Sequence, residues 1–338
     1  MFADLLSTLV RRDDLTVDQA SQAMDAVMSG ESHPAQVAAL LIGLAMKGER
    51  PAELVGFART MRARGLTIDG GPGAVDTCGT GGDRAGTFNI STAAALVVAG
   101  AGVPVVKHGN RSVSSHCGSA DVLEALGVTI AAPPATVQRA VTEAGIGFCF
   151  APTFHPAMRH AVEARKALGV PTAFNLLGPL TNPARVRFQV VGVARPELTE
   201  LIARALQQLG AARAWVVHGA DGLDELSTTG YTKVSECHGD VVRTFYVHPA
   251  DAGLAKASPA DLRGGTAADN ARVIRAVLAG EAGPARDVVL LNAGAALFVS
   301  GRVPSLRHGL AMAAAAIDDG RASRALEALV AVTADGAP

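Results

Sequence analysis

The stretch VDTCGTGGDRAGTFNISTAAALVVAGAGVPVVKHGNRSVSSHCGS, from Val75 to Ser119, predicts the fold of this chain. It holds two polar motifs, Gly79–Asp83 and Lys107–Arg111, and each motif follows a strand-like run and precedes a helix-like one. Strands that alternate with helices in this way are typical of a parallel sheet covered by helices. Because ligands bind at the carboxyl ends of such strands, the two motifs indicate a binding site.

The first motif has the layout of a phosphate cradle. Residues 74–78 read as a short strand, and residues 89–92 read as the cap of a helix that starts near Ala93. Glycine lets a ligand approach the backbone closely, and a helix N-terminus attracts negative charge. Side-chain donors stand among the glycines, at Thr87, Asn89, Ser91 and Thr92. The spacing matches neither a P-loop nor GxGxxG, and a tight turn without a ligand is the alternative.

The second motif packs seven polar side chains into the nine residues from Lys107 to Ser115. It follows the strand-like run Val103–Val106, so its two cations, its amide and its hydroxyls stand at a strand end. A polar loop that faces water is the alternative. Because donors and cations gather beside an apolar strand, the motif favours a ligand with two phosphate groups.

Three further features complete the candidate site. Asp224 and Glu225 follow a strand-like run that ends at Gly219; adjacent acids are usually solvated, but Mg²⁺ is often held by one or two carboxylates and substrate oxygens. Arg165 is either a charge on a helix surface or a clamp for a substrate carboxylate. His155 and His160 are interpreted as structural, since no metal-binding spacing includes them.

The remaining pattern predicts two units. From Asp4 to about Gly65 the apolar residues have helical spacing, and Asp69–Gly73 breaks that pattern. Strands and helices then alternate, and residues 231–247 read as an antiparallel pair at the periphery. The fold class is therefore α/β, with a small all-helical unit before a larger unit whose central sheet is mainly parallel.

Composition excludes several function classes. Among 338 residues, 30 are Lys or Arg and 31 are Asp or Glu, so there is no overall basic field for nucleic acid. The first residues lack the positive charge of a signal peptide, and the uncharged apolar stretch from Ala93 to Val106 is too short to span a bilayer. The four cysteines are widely spaced. A cytoplasmic protein that contacts neither nucleic acid nor membrane is expected.

With these motifs assembled, the chain resembles the anthranilate phosphoribosyltransferase family over nearly its whole length. The motifs that carry the resemblance are GTGGD at 79–83, TFNIST at 87–92, KHGNR at 107–111 followed by serines, GSADVLEALG at 118–127, FNLLGPLTNP at 174–183 and GLDE at 222–225. The resemblance implies transfer of phosphoribose from phosphoribosyl pyrophosphate (PRPP) to anthranilate with Mg²⁺, in tryptophan biosynthesis. It also implies a hinge between the two domains and a homodimer formed through the helical domain.

The resemblance assigns roles residue by residue. The residues implied to bind PRPP are Gly79, Gly82, Asp83, Thr87, Asn89, Ile90, Ser91, Thr92, Lys107, His108, Gly109, Asn110, Arg111, Ser112, Val113, Ser114, Ser115 and Ser119. Those implied to bind anthranilate are Gly79, Asn110 and Arg165, and those implied to hold Mg²⁺, as two ions, are Ser91, Asp224 and Glu225. The domains are expected at 1–70, with a helical contribution from about 158–185, and at 71–157 together with 186–338.

Three positions depart from the family's usual pattern: Arg84 replaces a common glycine, Gly86 a polar residue, and His116 a lysine. They flank the motifs, so they bear on loop mobility and affinity more than on the reaction. An arylamine is neutral near pH 7, so no obligatory general base is expected, and Asn110, Lys107 and His108 are expected to position the reactants. The alternatives are a pyrimidine nucleoside phosphorylase and a noncatalytic nucleic-acid-binding relative.

Overall fold

Four helices form the N-terminal unit of the computed structural model, which describes residues 2–112 and 117–335. Their bounds are Phe2–Val10 (α1), Val17–Met28 (α2), Pro34–Lys47 (α3) and Pro51–Arg64 (α4). A capping box precedes α2, as the spacing of Thr16 and Gln19 in the sequence predicts: Thr16 accepts from the Gln19 N–H, and the Gln19 side chain accepts from the Thr16 N–H. Proline at the first position starts both α3 and α4.

Helix α3 buries one face only within this chain. Val37, Leu40 and Leu44 lie in the core of the helical unit, whereas Ala39 and Met46 on the opposite side are exposed. The sequence of α3 is apolar over nearly its whole length, which predicts a helix that is buried on more than one side. The structure of the single chain therefore leaves an apolar stripe of α3 facing solvent.

A seven-stranded sheet forms the centre of the second unit, in the order β3-β2-β1-β4-β5-β6-β7. The strands are Val75–Asp76 (β1), Val105–Gly109 (β2), Ile146–Phe150 (β3), Phe188–Gly192 (β4), Arg213–Gly219 (β5), Thr232–His238 (β6) and Val241–Val247 (β7). Strands β1 to β5 pair in parallel, and β5, β6 and β7 pair antiparallel. The predicted α/β class and the peripheral antiparallel pair are confirmed.

Helices cover both faces of the sheet and also return to the helical unit. The remaining α-helices are Ile90–Gly100 (α5), Ser119–Ala125 (α6), Pro134–Ala144 (α7), Ala151–Phe154 (α8), Val162–Leu168 (α9), Ala173–Leu176 (α10), Leu198–Gln208 (α11), Ala267–Leu278 (α12), Pro284–Val299 (α13), Leu306–Asp318 (α14) and Arg321–Ala334 (α15). Ala161, Ala164 and Phe174 join the core of the helical unit, where Phe174 meets Phe57 edge to face. Across residues 2–112 and 117–335, no helix combines the length and apolarity needed to cross a membrane.

Three local predictions were wrong. Helix α5 begins at Ile90 rather than near Ala93, and strand β2 runs on to Gly109 rather than ending at Val106. The apolar run at residues 128–130, whose sequence predicts a strand, forms none. Their N–H groups have other acceptors: the Val128 N–H donates to Leu123 and the Thr129 N–H to the Thr333 hydroxyl. The apolar run is buried by packing, not by sheet pairing.

Candidate active site

A glycine-rich loop leaves the carboxyl end of β1 and returns into α5. Gly81, Gly82 and Gly86 have left-handed backbone conformations, with φ of 65°, 91° and 67°. Arg84 shares this conformation at φ 56°, although a side chain disfavours it. Glycine, the usual residue at position 84 in the family that the sequence resembles, would adopt this conformation without strain. Arg84 therefore carries a backbone cost that glycine would not.

Two glycines bring this loop against the acidic loop after β5. A Cβ on Gly79 would lie 3.0 Å from Asp224 Oδ2 and 3.1 Å from the Gly192 carbonyl oxygen, and a Cβ on Gly192 would overlap the Asp224 carbonyl group. The Gly81 N–H donates to Asp224 Oδ2 at 3.1 Å. Sequence reasoning missed Gly192, and its signal was a glycine at the carboxyl end of a buried strand.

The N-terminus of α5 faces the second acid. The Ser91 N–H donates to Glu225 Oε1 at 3.0 Å, and the Ser91 hydroxyl bonds the same carboxylate. The structure thus brings together Ser91, Asp224 and Glu225, which were expected to hold Mg²⁺. A carboxylate at this helix end is favourable because the first turn offers free N–H groups and a positive dipole end.

Three carboxyl groups meet here, from Asp83, Asp224 and Glu225. The Asp224 and Asp83 side chains hydrogen-bond, and the Asp224 N–H lies 3.5 Å from Asp83 Oδ2. Burial, followed by the charges of Asp83 and Glu225, raises the pKa of Asp224 well above its ordinary value. Burial also raises the pKa of Glu225 to about 7, although the Lys107 ammonium acts in the opposite direction. The cluster therefore holds more carboxyl groups than the nearby positive charge of Lys107 can neutralise if all of them are ionised.

A divalent cation suits this donor set. Carboxylate and hydroxyl oxygens are ligands that Mg²⁺ takes, and a cation would stabilise the charged form of Asp224, which burial and then the neighbouring carboxyl groups disfavour. Among the residues that the structure describes, no group of three or more His, Cys, Asp or Glu side chains is arranged to hold a metal by itself. Substrate oxygens and water would therefore have to complete the coordination.

Lys107 and His108 lie inside strand β2, not in the loop that the sequence predicted. Both side chains are buried, and Lys107 Nζ donates to the Thr77 carbonyl oxygen at 3.0 Å. His108 Nδ1 lies 2.9 Å from the Gly178 carbonyl oxygen, which can only accept, so Nδ1 carries the hydrogen. Its Nε2 is then an acceptor, and it is buried without a partner. Burial lowers the pKa of His108 to about 3, so the ring is neutral.

Asp76 and Asn182 fix this strand end from behind. Asp76 is fully buried, and its carboxylate accepts from Asn182 Nδ2 at 2.7 Å and from the His108 N–H at 3.3 Å. Asn182 Nδ2 also donates to the Val106 carbonyl oxygen at 2.8 Å. The segment around Asn182 is thereby bonded to both β1 and β2. Sequence reasoning assigned neither residue to the site, since a buried Asp in a strand gives no motif.

The residues after β2 are held by helix α6. Gly109 leaves no room for a side chain, because a Cβ would run into Ser119 Oγ, and Ser119 and the Ala120 N–H both donate to the Asn110 carbonyl oxygen. The Ser112 N–H donates to Asp121 at 3.1 Å. Val113, Ser114, Ser115 and His116 lie outside the described residues.

Arg111 was expected to bind phosphate, but here it bonds two acids of α6. Its guanidinium group lies 2.8 Å from Asp121 and 2.9 Å from Glu124. These two carboxylates raise the pKa of Arg111 above its ordinary value. In this structure the Arg111 side chain therefore orders the loop rather than facing the glycine cradle.

Thr87 and Asn89 lie between the cradle and α5, and Ile90 and Thr92 lie in the first turn of α5. Thr87 bridges to Arg263, the Ile90 side chain is in the core, and Thr92 Oγ1 is buried without a partner. Asn89 occupies the N-cap position, but its side chain does not cap the helix. The Asn89 amide instead forms hydrogen bonds with the Cys117 carbonyl oxygen and with Asn270 of α12.

Arg165 lies on α9, which packs against α3 of the helical unit. It is half-buried, and burial lowers the pKa of its guanidinium group. No hydrogen bond or ion pair within residues 2–112 and 117–335 links Arg165 to Gly79 or Asn110. A half-buried guanidinium group without a carboxylate partner is suited to an anionic ligand.

Known proteins are similar to this chain in sequence and in fold. Residues 3–65 match the helical bundle domain of a glycosyl transferase family, and residues 71–323 match its a/b domain. An anthranilate phosphoribosyltransferase of Moorella thermoacetica is 54% identical over 327 residues, covering 96% of both chains. The crystal structure of that enzyme from Thermus thermophilus is 45% identical, with a TM-score of 0.93 over 98% of this chain and 99% of that one.

The corresponding enzyme of Saccharomyces cerevisiae has been solved in complex with PRPP and Mg. It is 27% identical, with a TM-score of 0.90 over 99% of this chain and 98% of that one. A second structure of the yeast enzyme, with 4-fluoroanthranilate, has a TM-score of 0.87 at 27% identity and covers 99% of both chains.

Proposed function

The chain belongs to the anthranilate phosphoribosyltransferase family, and we propose that it transfers the phosphoribosyl group of PRPP to the amine of anthranilate. The products are N-(5-phosphoribosyl)anthranilate and pyrophosphate, and the reaction is a step of tryptophan biosynthesis. The observation that carries the proposal is the convergence of the glycine cradle and the acidic loop. Gly81 contacts Asp224 and Ser91 contacts Glu225, beyond the carboxyl ends of the parallel strands β1 and β5, which β4 separates in the sheet.

PRPP is assigned to the cradle and to the end of β2. Without side chains, Gly79 and Gly82 let phosphate oxygens approach the backbone of the cradle, and Lys107 provides a buried cation close to Glu225. The sequence-based assignments of Thr87, of Asn89 to Thr92, of Lys107 to Ser115 and of Ser119 are kept as part of this proposal. Arg111 would reach a phosphate only by leaving Asp121 and Glu124.

Ser91, Asp224 and Glu225 are proposed to hold Mg²⁺, as two ions, with Asp83 beside them. The excess of half-buried carboxylates supports this assignment. Bound Mg²⁺ would neutralise charge on the pyrophosphate group. The carboxylates of this chain would hold the ions, and the donors of the cradle would stabilise the negative charge that develops on the pyrophosphate group.

Anthranilate is proposed to bind between Arg165, Asn110 and Gly79, with its carboxylate on the guanidinium group of Arg165. His108 Nε2 offers a buried lone pair that can accept an amine N–H without removing a proton. Because the pKa of His108 is lowered to about 3, the ring is a weak base. The neutral amine attacks ribose C1 as the bond to pyrophosphate breaks, and after the new bond has formed the amine loses a proton to water or to the released pyrophosphate. The protein positions the two reactants and needs no obligatory general base.

The decisive assay is loss of anthranilate fluorescence after PRPP and Mg²⁺ are added. The wild-type protein should consume anthranilate, and a variant with Asp224→Asn and Glu225→Gln should not. Phosphorolysis of thymidine without consumption of anthranilate would instead identify a pyrimidine nucleoside phosphorylase. Binding of DNA or RNA without either activity would support a noncatalytic relative. Abolition of turnover by His108→Gln, with both substrates still bound, would refute the mechanism without a base.

A homodimer formed through the helical domain is part of the proposal. The exposed stripe of α3, with Ala39 and Met46, supports it, since Met46 is 73% exposed. Met46→Glu should therefore yield monomers in sedimentation equilibrium. Val241→Glu, at an exposed valine of β7, is the matched control and should leave the dimer intact. A wild-type protein that sediments as a monomer would refute the dimer and leave the enzymatic assignment untouched.

The domain limits and the location in the cell are also proposals. The helical domain is taken as 1–70 with a contribution from about 158–185, and the α/β domain as 71–157 with 186–338. Joint burial of Ala164, Phe174 and the N-terminal helices supports the first of these. A reducing cytoplasm is consistent with four buried cysteines that form no disulfide within the described residues.

A further inference from the structure

A buried asparagine of α12 lies behind the phosphate cradle. Asn270 is 1% exposed, and it follows the long connection between β7 and α12. No motif in the sequence assigned it a role. Its side-chain amide contacts Asn89, which lies 181 residues earlier in the chain, at the start of α5. A buried amide must satisfy both its donors and its acceptor, so the orientation of Asn270 can be derived from its neighbours.

The Gly265 backbone fixes one end of this hydrogen-bond chain. The Gly265 N–H can only donate, and it lies 2.8 Å from Asn270 Oδ1, so Nδ2 of Asn270 must point the other way. Nδ2 then donates to Asn89 Oδ1 at 2.9 Å, and it also contacts the Cys117 thiol. The two donor hydrogens of the Asn270 amide are thus used.

The Cys117 carbonyl group fixes the other end. Asn89 Nδ2 donates to this oxygen at 3.1 Å, which agrees with an Asn89 Oδ1 that accepts from Asn270. A backbone donor at Gly265 and a backbone acceptor at Cys117 therefore impose one orientation on both amides. One of the two Nδ2 hydrogens of Asn89 has no acceptor among these contacts. Asn89 can therefore donate a hydrogen bond to a ligand, whereas its Oδ1 already accepts from Asn270.

The segment before α12 is also attached to the cradle. The Gly264 N–H donates to the Gly86 carbonyl oxygen at 2.8 Å, and the Phe88 N–H donates to Leu262 at 3.2 Å. A Cβ on Gly264 would lie 2.6 Å from the Phe88 nitrogen, so the two backbones are in direct contact. The position of Asn270 relative to Asn89 is therefore set by backbone contacts on both sides.

We propose that Asn270 is a positioning residue, which orients the Asn89 amide so that it donates a hydrogen bond to a phosphate or hydroxyl oxygen of PRPP. The inference rests on the proposed function, because it takes Asn89 as a PRPP ligand. Asn270 itself does not touch the substrate. Without its amide hydrogen, Asn89 would be free to turn and present its oxygen to an anionic ligand.

The test is a double-mutant cycle of Asn270→Ala and Asn89→Ala, read by calorimetric titration of PRPP with Mg²⁺ and without anthranilate. In the wild-type background, Asn270→Ala should weaken PRPP binding about tenfold, the scale of one charge-assisted hydrogen bond. In the Asn89→Ala background, the same change should weaken binding less than about twofold, since the group it orients is gone. Equal losses in both backgrounds would overturn the inference.

Asn270→Asp separates positioning from structural support. It keeps the acceptor for Gly265 but replaces the donor to Asn89 with an oxygen, so positioning predicts PRPP binding at least as weak as in Asn270→Ala. A role in stability alone predicts the opposite order, because Asn270→Asp retains one more hydrogen bond, and that order would overturn the inference. This nearly isosteric variant also keeps the test available if Asn270→Ala does not fold. Failure of the wild-type protein to bind PRPP would overturn the proposed function itself.

Discussion

Replacement of Gly192 by alanine tests whether the acidic loop is positioned by close backbone contact. A Cβ at this position would overlap the Asp224 carbonyl oxygen and lie 2.5 Å from its carbonyl carbon, whereas ordinary van der Waals contact begins at 3.4 Å. The Asp224 carbonyl group must therefore retreat by about 2 Å, and the Asp224 carboxylate must move away from the Gly81 N–H. A displacement of about 1 Å at a catalytic centre can cost about a hundredfold in rate.

The expected result for Gly192→Ala is a fall of about a hundredfold in kcat, measured as consumption of anthranilate at saturating PRPP. The free energy of unfolding should fall by about 1–3 kcal/mol, which is typical of overpacking, so the variant remains folded. Gly230→Ala is the matched control, because a Cβ at Gly230 meets nothing within 4 Å and its φ is not left-handed. A kcat within threefold of wild type in folded Gly192→Ala would refute the reasoning.

Three further predictions concern stability. Thr16→Ala removes the capping box of α2 and should lower the free energy of unfolding in urea by about 1 kcal/mol without changing kcat; an unchanged urea midpoint would contradict the cap. Arg84→Val should destabilise the protein by about 1–2 kcal/mol, since a β-branched residue tolerates the left-handed φ poorly, whereas Arg84→Gly should be nearly neutral. His108→Gln should flatten the loss of stability on acidification. Below pH 6.5 His108 is protonated in the unfolded chain, whereas in the folded chain it stays neutral until about pH 3. The free energy of unfolding should therefore fall by up to about 1.4 kcal/mol per pH unit in this range. Identical pH dependence of the free energy of unfolding in His108→Gln and wild type, measured in urea, would refute a buried neutral His108.

The fold was largely predictable because its signals are local. Glycines, prolines and the capping box at Thr16 end or start elements through backbone geometry, and the alternation of strands and helices follows from apolar spacing. The strand predicted at 128–130 shows the limit of such reasoning. An apolar run establishes burial, but whether its N–H groups donate to a strand or to a Thr333 hydroxyl depends on a segment two hundred residues away.

The candidate site was predictable where its residues form motifs and not where they act through space. The sequence singled out Asp224 and Glu225, but Gly192, Asp76 and Asn270 carry no motif, and their roles come from contacts across the sheet. Arg111 shows the converse. Its place in a polar motif indicated a phosphate ligand, whereas the two acids on α6 that bond it lie ten and thirteen residues further on.

The described residues leave three polar groups of the site incompletely satisfied, and each matches one feature of the proposed reactants. The carboxyl groups around Asp224 have too little positive charge beside them, which is consistent with Mg²⁺. The half-buried guanidinium group of Arg165 forms no ion pair within the described part of the chain, which is consistent with a carboxylate ligand. His108 Nε2 is a buried acceptor without a donor, which is consistent with an amine N–H. A nucleoside phosphorylase substrate carries no carboxylate for Arg165, so the guanidinium group favours anthranilate over that alternative.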